Sequence, residues 1–129
     1  MSDAKTVVEA AVFEALEASI AGATVYQDVP ENAPLPLVIV GDLSSKRLLG
    51  KDSSRDRIVT VSIVSLVEAE QRAPLLALQG QIDDVLDGAR FTPDGWTLAG
   101  AFEDDEAALQ EDGQTYGGVS TFTFLALAD

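Results

Sequence analysis

The sequence contains no cysteine and no histidine among its 129 residues. Disulfides, thiolate nucleophiles and thiol or imidazole metal sites are therefore excluded. The same absence removes histidine as a general base, and with it every Ser-His catalytic arrangement. Neither of the glycine patterns that cradle phosphates, G-x-G-x-x-G and G-x-x-x-x-G-K, occurs. The sequence therefore predicts no metal centre, no cofactor and no enzyme activity.

Positive charge is also scarce, because 8 Lys and Arg residues stand against 22 Asp and Glu residues, for a net charge of −14. This balance argues against nucleic acid as the main partner and against anionic membranes. No apolar run approaches the ~18 residues of a membrane span, and no signal peptide is apparent at the N-terminus. By length, we expect residues 1–129 to form a single domain.

The hydrophobic pattern predicts two helices. One spans Thr6 to Ala21, with Thr6-Val-Val-Glu9 as a capping box and Asp3 as the alternative cap. The other spans Ala69 to Asp87 and contains Gly80, which would suit a close approach to the sheet. Strands are predicted over Leu37 to Val40, Arg57 to Val67, Trp96 to about Phe102, and Tyr116 to Leu127.

Two further segments connect these elements. Three prolines between Val29 and Leu37 give a stiff, extended arm that leads into the first strand. Pro93-Asp94-Gly95 is strong turn chemistry and predicts a short hairpin from Phe91 to Trp96. Together the elements predict an α+β fold, with a mostly antiparallel sheet of about four strands and two helices packed on one face.

Charged residues are segregated by sign along the chain. The segment from Leu43 to Arg57 has no clear period, and we expect a long mobile loop there. Five basic residues lie in or next to it: Lys46, Arg47, Lys51, Arg55 and Arg57. This segment could grip DNA, form a charge-balanced surface, or contact an acidic patch on a neighbouring copy. The overall acidity favours the neighbouring copy.

Acidic residues form two clusters. Glu103, Asp104, Asp105 and Glu106 follow one another in a segment from which we expect a solvated loop tip, since the spacing is not that of a calcium-binding loop. Asp83, Asp84 and Asp87 could in principle supply paired carboxylates for hydrolysis. On a helix, however, Asp83 and Asp87 share an exposed face, where we expect no burial that would raise a pKa.

The chain resembles the tail completion (tail terminator) proteins of long-tailed phages and gene transfer agents. The resemblance runs in order through Val25-Tyr26, the Val29-Pro30 turn, Pro36-Leu37-Val38 with Gly41, and Val64-Ser65. It continues through the Phe91-Thr92-Pro93-Asp94-Gly95 hairpin, Glu103, Asp112-Gly113 and Thr115-Tyr116 with Gly118-Val119. The resemblance departs where Val64, Gly117, Thr121 and Thr123 replace residues frequent in the family.

The resemblance implies a structural virion protein of the tail or neck that is assembled in the host cytoplasm. It implies a ring, typically hexameric, that caps the tail tube and joins it to the head connector or stopper protein. DNA would only pass through the lumen. The charged segments, Lys46 to Arg57 and Glu103 to Glu106, are then candidates for contacts between subunits or with virion partners.

Two other classes of function stay open at this stage. One is a small, dimeric α+β binding module for a small ligand or peptide; it predicts a closed apolar pocket between helices and sheet. The other is an enzyme that uses carboxylates alone; it predicts a buried pair of acids.

Overall fold

The structure is a computed structural model that describes residues 3–48, 55–93 and 95–129. Within these ranges the chain forms two helices and six strands. In chain order they are α1 (Ala4–Ser19), β1 (Thr24–Tyr26), β2 (Leu37–Arg47), β3 (Arg57–Glu68), α2 (Ala73–Leu86), β4 (Arg90–Phe91), β5 (Trp96–Leu109) and β6 (Thr115–Ala128). The predicted α+β class with two helices is confirmed.

All these strands belong to one sheet, in the order β1-β2-β3-β6-β5-β4. β1 and β2 are parallel, and every other neighbouring pair is antiparallel. The prediction of about four mostly antiparallel strands is therefore wrong in number, and the sheet is mixed. β1 was not predicted, because its three residues are too short for any period to show. β4 has two residues and is the first strand of the predicted Phe91–Trp96 hairpin, since it pairs antiparallel with β5.

Helix α1 begins earlier than predicted because Asp3, and not Thr6, is its N-cap. The Asp3 side chain accepts a hydrogen bond from the Thr6 backbone N–H, with 2.8 Å between N and Oδ1. This bond lowers the pKa of Asp3 because it favours the charged carboxylate. The alternative cap is thus the one observed, and the Thr6–Glu9 capping box is wrong.

Helix α2 is shorter than the predicted Ala69–Asp87 segment and carries Pro74 in its first turn, where no backbone donor is lost. Its buried residues recur at helical spacing: Leu75, Leu78, Gln79, Ile82 and Leu86. Gly80 does not approach the sheet closely, because a Cβ built there has nothing within 4 Å. The expectation for Gly80 is therefore wrong.

One face of the sheet and both helices enclose the core. Along β3 every second side chain is buried, and Phe122 and Phe124 of β6 lie beside them with 0% exposure. α1 and α2 contribute Val8, Val12, Leu16, Leu75, Ile82 and Leu86 to the same cluster. Trp96 is 2% exposed and belongs to this core. We call this the helix face of the sheet and the opposite side its open face.

The predicted loop from Leu43 to Arg57 is strand at both of its ends. β2 continues to Arg47, and β3 begins at Arg57, its direct partner. The pairing shifts between Val40 and Leu43, which marks a bulge. Beyond the bulge most side chains are exposed on both faces, so the sequence shows no alternation there. Residues 49–54 lie outside the described ranges.

The acidic segment after Phe102 is also strand and not a loop tip. β5 runs on to Leu109 and pairs with β6 along its whole length, with a bulge between Phe102 and Asp104. Backbone pairing with β6 accounts for this course, because the segment itself is exposed on both faces and shows no period. No helix in the described part of the chain is long and apolar enough to span a membrane.

Candidate subunit interface

Four of the five predicted basic residues lie together at one end of the sheet. Lys46 and Arg47 end β2, and Arg57 begins β3 opposite Arg47. Arg55 lies two residues before β3. Lys51 lies outside the described residues. Clustering these charges raises the local positive potential, although the chain as a whole is acidic.

This end is anchored to the neighbouring strands by residues next to the basic group. The Arg55 guanidinium lies 5.4 Å from the centroid of the Trp96 ring, a cation–π geometry. Asp56 accepts a hydrogen bond at 2.8 Å from the Ala128 backbone N–H. Arg57 donates to the Asp56 carbonyl oxygen at 2.8 Å. Arg55 and Arg57 therefore have partners within the chain, whereas in the described structure no contact engages the charged groups of Lys46 and Arg47.

The four predicted acidic residues lie side by side on the second half of β5 and are all exposed. Cross-strand partners share a face of the sheet, so their orientation can be read from the register. Asp104 and Glu106 are opposite Thr121 and Val119 on the open face. Glu103 also reaches this face, where it accepts a hydrogen bond at 3.5 Å from the Thr123 hydroxyl.

Asp105 points to the other side of the sheet. It is opposite Ser120, which is fully buried on the helix face. On this face the Asp105 carboxylate repels that of Asp83 on α2. Asp84 and Asp87, near the C-terminal end of α2, repel it as well. The acidic group of β5 is therefore continuous with acids at the end of α2, and these three had been considered separately in the sequence.

The pKa of Asp83 is raised, first by burial and then by repulsion from Asp105, Asp87 and Asp84. One of its carboxylate oxygens, Oδ1, is buried without a hydrogen-bond partner in the structure. The expectation that no burial would raise a pKa on this helix face is therefore wrong. The helical spacing was right, but only the packing of α2 against β5 reveals the proximity of Asp105.

Asp87 has a different role, because its side chain binds a backbone N–H at the edge of β5. Its side chain accepts from the Phe102 backbone N–H at 2.9 Å. Gln79 holds the same strand from the helix side, donating to the Glu106 carbonyl oxygen at 2.9 Å. Gln79 was not singled out in the sequence; the one available signal is Gly118, whose missing side chain leaves room for it.

The structure does not bring the basic and acidic groups together within one chain. The basic group lies on β2 and β3, and the acidic group lies on β5, on the far side of β6. Each group reaches an outer part of the sheet. β1 pairs with β2 only along 37–39, and β4 pairs with β5 only at 98–99. Beyond these short pairings, the described part of the sheet leaves both outer strands with an open edge.

Two grooves lie away from these charges and are open to solvent. One of about 530 Å³ runs between α1 and the β4 end and is lined by Val7, Ala11, Phe91 and Pro93 among others. One of about 240 Å³ lies beside the end of the proline arm, lined by Pro36, Val67 and Gln81 among others. Between the helices and the sheet, the described core side chains form one packed cluster.

No set of three or more Asp or Glu residues in the described ranges is arranged to hold a metal ion.

Comparison with protein families matches residues 10–126 to the family described as Tail completion protein gp17. The chain belongs to this family. The match covers the second part of α1, all of α2, the sheet as far as Ala126, and both charged groups. Membership makes the chain a structural tail protein of a virion, as the resemblance in the sequence implied. Comparison with curated proteins gives no match.

A solved structure supports the fold of this tail completion protein. The chain superposes on a protein chain of the "Virion of native gene transfer agent (GTA) particle" with a TM-score of 0.83 and 22% sequence identity. The alignment covers 97% of this chain and 98% of the other. The two proteins thus share one fold over practically their entire lengths.

Proposed function

We propose that this tail completion protein forms a ring that ends the tail tube and joins it to the head connector or stopper protein. Family membership over residues 10–126 is the observation that carries the proposal. In this proposal the chain acts as one domain, performs no catalysis, and meets three kinds of partner. They are further copies of itself, six to a ring as the resemblance implies, the tail tube protein, and the head connector or stopper protein.

The placement of charge supports contacts between copies. A ring requires heterologous contacts, in which two different surfaces of one chain meet their counterparts on its neighbours. Two charged groups are such surfaces, and they lie towards opposite edges of the sheet. The basic group consists of Lys46, Arg47, Arg55 and Arg57, and the acidic group consists of Glu103 to Glu106. Lys51 belongs to the proposed basic surface by its sequence position. Attraction between the groups would weaken with added salt.

The same charge balance suits a lumen through which DNA passes. A net charge of −14 disfavours lasting contact with phosphates, because like charges repel. DNA is therefore proposed as a passing occupant and not as a ligand.

The test is electron microscopy of particles produced without this protein. We expect tails of uncontrolled length, heads without tails, or both, and restoration of joined particles when the intact gene is supplied. Normal joined particles in its absence would contradict the proposed function. A point variant that folds but does not assemble separates loss of the ring from loss of the protein.

A further inference from the structure

The open edges of β2 and β5 have opposite charges. On β2 the edge beyond the bulge carries Lys46 and Arg47, and on β5 the edge beyond the bulge carries Glu103 to Glu106. An open strand edge presents unpaired N–H and C=O groups, which readily accept a further strand. Charge complementarity between the two edges indicates which strand each would accept.

The backbone phase of the β5 edge follows from its hydrogen bonds. In an antiparallel ladder, alternate residues bond to opposite sides. The Gln110 backbone N–H donates to the Thr115 carbonyl at 2.7 Å, so Gln110, Ala108 and Glu106 bond inward to β6. Asp105, Ala107 and Leu109 therefore direct their backbone groups outward, to the open edge.

The phase of the β2 edge is fixed in the same way. The Thr24 backbone N–H donates to the Pro36 carbonyl at 3.3 Å, so even-numbered residues at the start of β2 face outward, towards β1. The bulge between Val40 and Leu43 adds one residue and reverses this phase. Beyond it, Leu43, Ser45 and Arg47 direct their backbone groups outward.

The side chains of these outward residues also share a face. Leu43 is opposite Val61, which is buried on the helix face. Leu109 is opposite Tyr116, and Tyr116 is opposite Val67, which is also buried on the helix face. Leu43 and Leu109 therefore both lie on the helix face. By the same alternation Arg47 and Asp105 lie on the helix face, and Lys46 and Glu106 on the open face.

From these agreements we infer that β2 of one copy pairs antiparallel with β5 of the next, with Arg47 opposite Asp105 and Leu43 opposite Leu109. Lys46 then lies opposite Glu106. One register thus aligns the outward backbone groups, matches both faces, joins unlike charges twice and places two leucines together. The inference rests on the proposed ring, for which it supplies the contact between subunits.

The directions of the strands agree with a closed ring. β2 and β5 run in opposite directions, since three antiparallel pairings link them through β3 and β6. Rotation about the ring axis preserves the component of each strand's direction along that axis, so β2 and β5 of adjacent copies meet antiparallel. This is the arrangement in which ladder hydrogen bonds are perpendicular to the strands.

The stagger of the junction is that of a barrel. Within one chain, Arg47 lies level with Leu98, through Arg57 and Ala126. In the proposed junction, Arg47 pairs instead with Asp105 of the neighbour. Without the extra residue of the bulge, Asp105 is six paired positions beyond Leu98, so adjacent copies are displaced along the strands by about 20 Å. Each copy contributes four strand spacings, or about 19 Å. The ratio of this displacement along the strands to the width of one copy corresponds to strands tilted about 45° from the ring axis. That tilt is at the upper end of the range for closed barrels.

The charges also prevent the alternative pairings. Two β5 edges would place their acids against each other, and two β2 edges would do the same with their bases. Like charges placed directly opposite are destabilising, and they reject the wrong partner. The self-complementary dimers are disfavoured, and the heterologous contact between β2 and β5 is the one that both edges favour.

Disulfide trapping tests this register cleanly because the chain has no cysteine of its own. The test variant combines Ser44→Cys with Ala108→Cys, two exposed positions that the register places opposite each other. In such a non-hydrogen-bonded pair the Cα atoms are about 4.5 Å apart, which lies within the range for disulfides. The control combines Ser45→Cys with Ala108→Cys, whose side chains would project from opposite faces.

Particles assembled with each variant are oxidised, and their proteins are separated on a non-reducing gel. We expect the test variant to give a ladder of covalent multimers at a yield at least tenfold above the control. Rings seen by electron microscopy without this ladder, or with equal cross-linking of both variants, would overturn the strand pairing and leave the proposed function intact. Joined particles that contain no ring would overturn both.

Discussion

The central strands and the outer half-strands of the sheet differ in what their side chains contact. β3 and the core half of β6 alternate buried with partly exposed residues, and their buried set is apolar apart from Ser65 and Ser120. The second halves of β2 and β5 are exposed on both faces and mostly polar or charged. The centre therefore stabilises the fold, whereas the outer half-strands are free to carry charge for contacts with other molecules.

The largest effect is expected from a pair of phenylalanines on the two sides of this divide. Phe122 is 0% exposed and Phe102 is 39% exposed, and their rings pack edge to face at 5.8 Å. Phe122→Ala should lower the free energy of unfolding by about 3–5 kcal/mol, since it opens a cavity in the core. Phe102→Ala should cost about 1 kcal/mol. Urea denaturation measures both, and equal losses would contradict the division.

Two glycines provide the second contrast. A Cβ on Gly118 would overlap the Gln79 side chain and lie 2.9 Å from the Glu106 carbonyl oxygen, whereas a Cβ on Gly80 meets nothing within 4 Å. Gly118→Ala should therefore destabilise by about 1–3 kcal/mol through overpacking. Gly80→Ala should stabilise by up to about 1 kcal/mol through helix propensity. Thermal unfolding distinguishes the two, and a tolerated Gly118→Ala would show that Gln79 can move aside.

A charge swap at the open edges should leave the fold intact and alter assembly. Arg47→Glu or Asp105→Arg alone should weaken ring formation at least tenfold, or about 1.4 kcal/mol, because like charges then meet at every junction. Each should change monomer stability by less than about 0.5 kcal/mol. The R47E/D105R double variant should restore rings, measured by electron microscopy and sedimentation on tail tubes. A double variant no better than the worse single variant would argue against this pair.

The smallest effect concerns Asp83, whose pKa is raised by burial and by three neighbouring carboxylates. A raised acid pKa means that the folded state disfavours the charged form, so stability is lost as the pH rises through the folded pKa. Asp83→Asn should stabilise the protein at pH 7 by a few tenths of a kcal/mol, because solvent screens the repulsion. The gain should disappear below the ordinary pKa of 3.8.

Asp28→Asn is the matched control for this prediction, because Asp28 is an exposed aspartate outside α2 and is not among the groups that raise the pKa of Asp83. Unfolding curves between pH 3 and pH 8 compare the variants. An equal gain from both substitutions would attribute the effect to net charge alone and not to the environment of Asp83.

The sequence predicted those parts of the fold in which one face is buried. The alternation from Val59 to Val67 and the helical spacing from Leu75 to Leu86 follow from burial, so both elements were found with nearly correct limits. β1 was missed because three residues show no period. The two-residue β4 was found through the turn chemistry of its hairpin and not through a period. The second halves of β2 and β5 were predicted as loops and are strands. Pairing through the backbone leaves no hydrophobic pattern in the sequence when both faces are exposed.

The candidate interface was predictable as residues but not as a surface. The segregation of Lys46 to Arg57 from Glu103 to Glu106 is visible in the sequence. Their positions on opposite edges depend on the strand order, which places β6 between β3 and β5. The link between Asp105 and Asp83 depends on helix packing between residues far apart in the chain. Neither relation is encoded in local spacing.

Each outer strand has its bulge just past the point where its short neighbour ends, between Val40 and Leu43 on β2 and between Phe102 and Asp104 on β5. A bulge accommodates an extra residue without disturbing the pairing on either side, but it exchanges the two sets of side chains beyond it. Homologous chains that gain or lose one amino acid at these two places should therefore also have interchanged their charged and apolar positions downstream. An aligned set of such chains would show these paired changes directly.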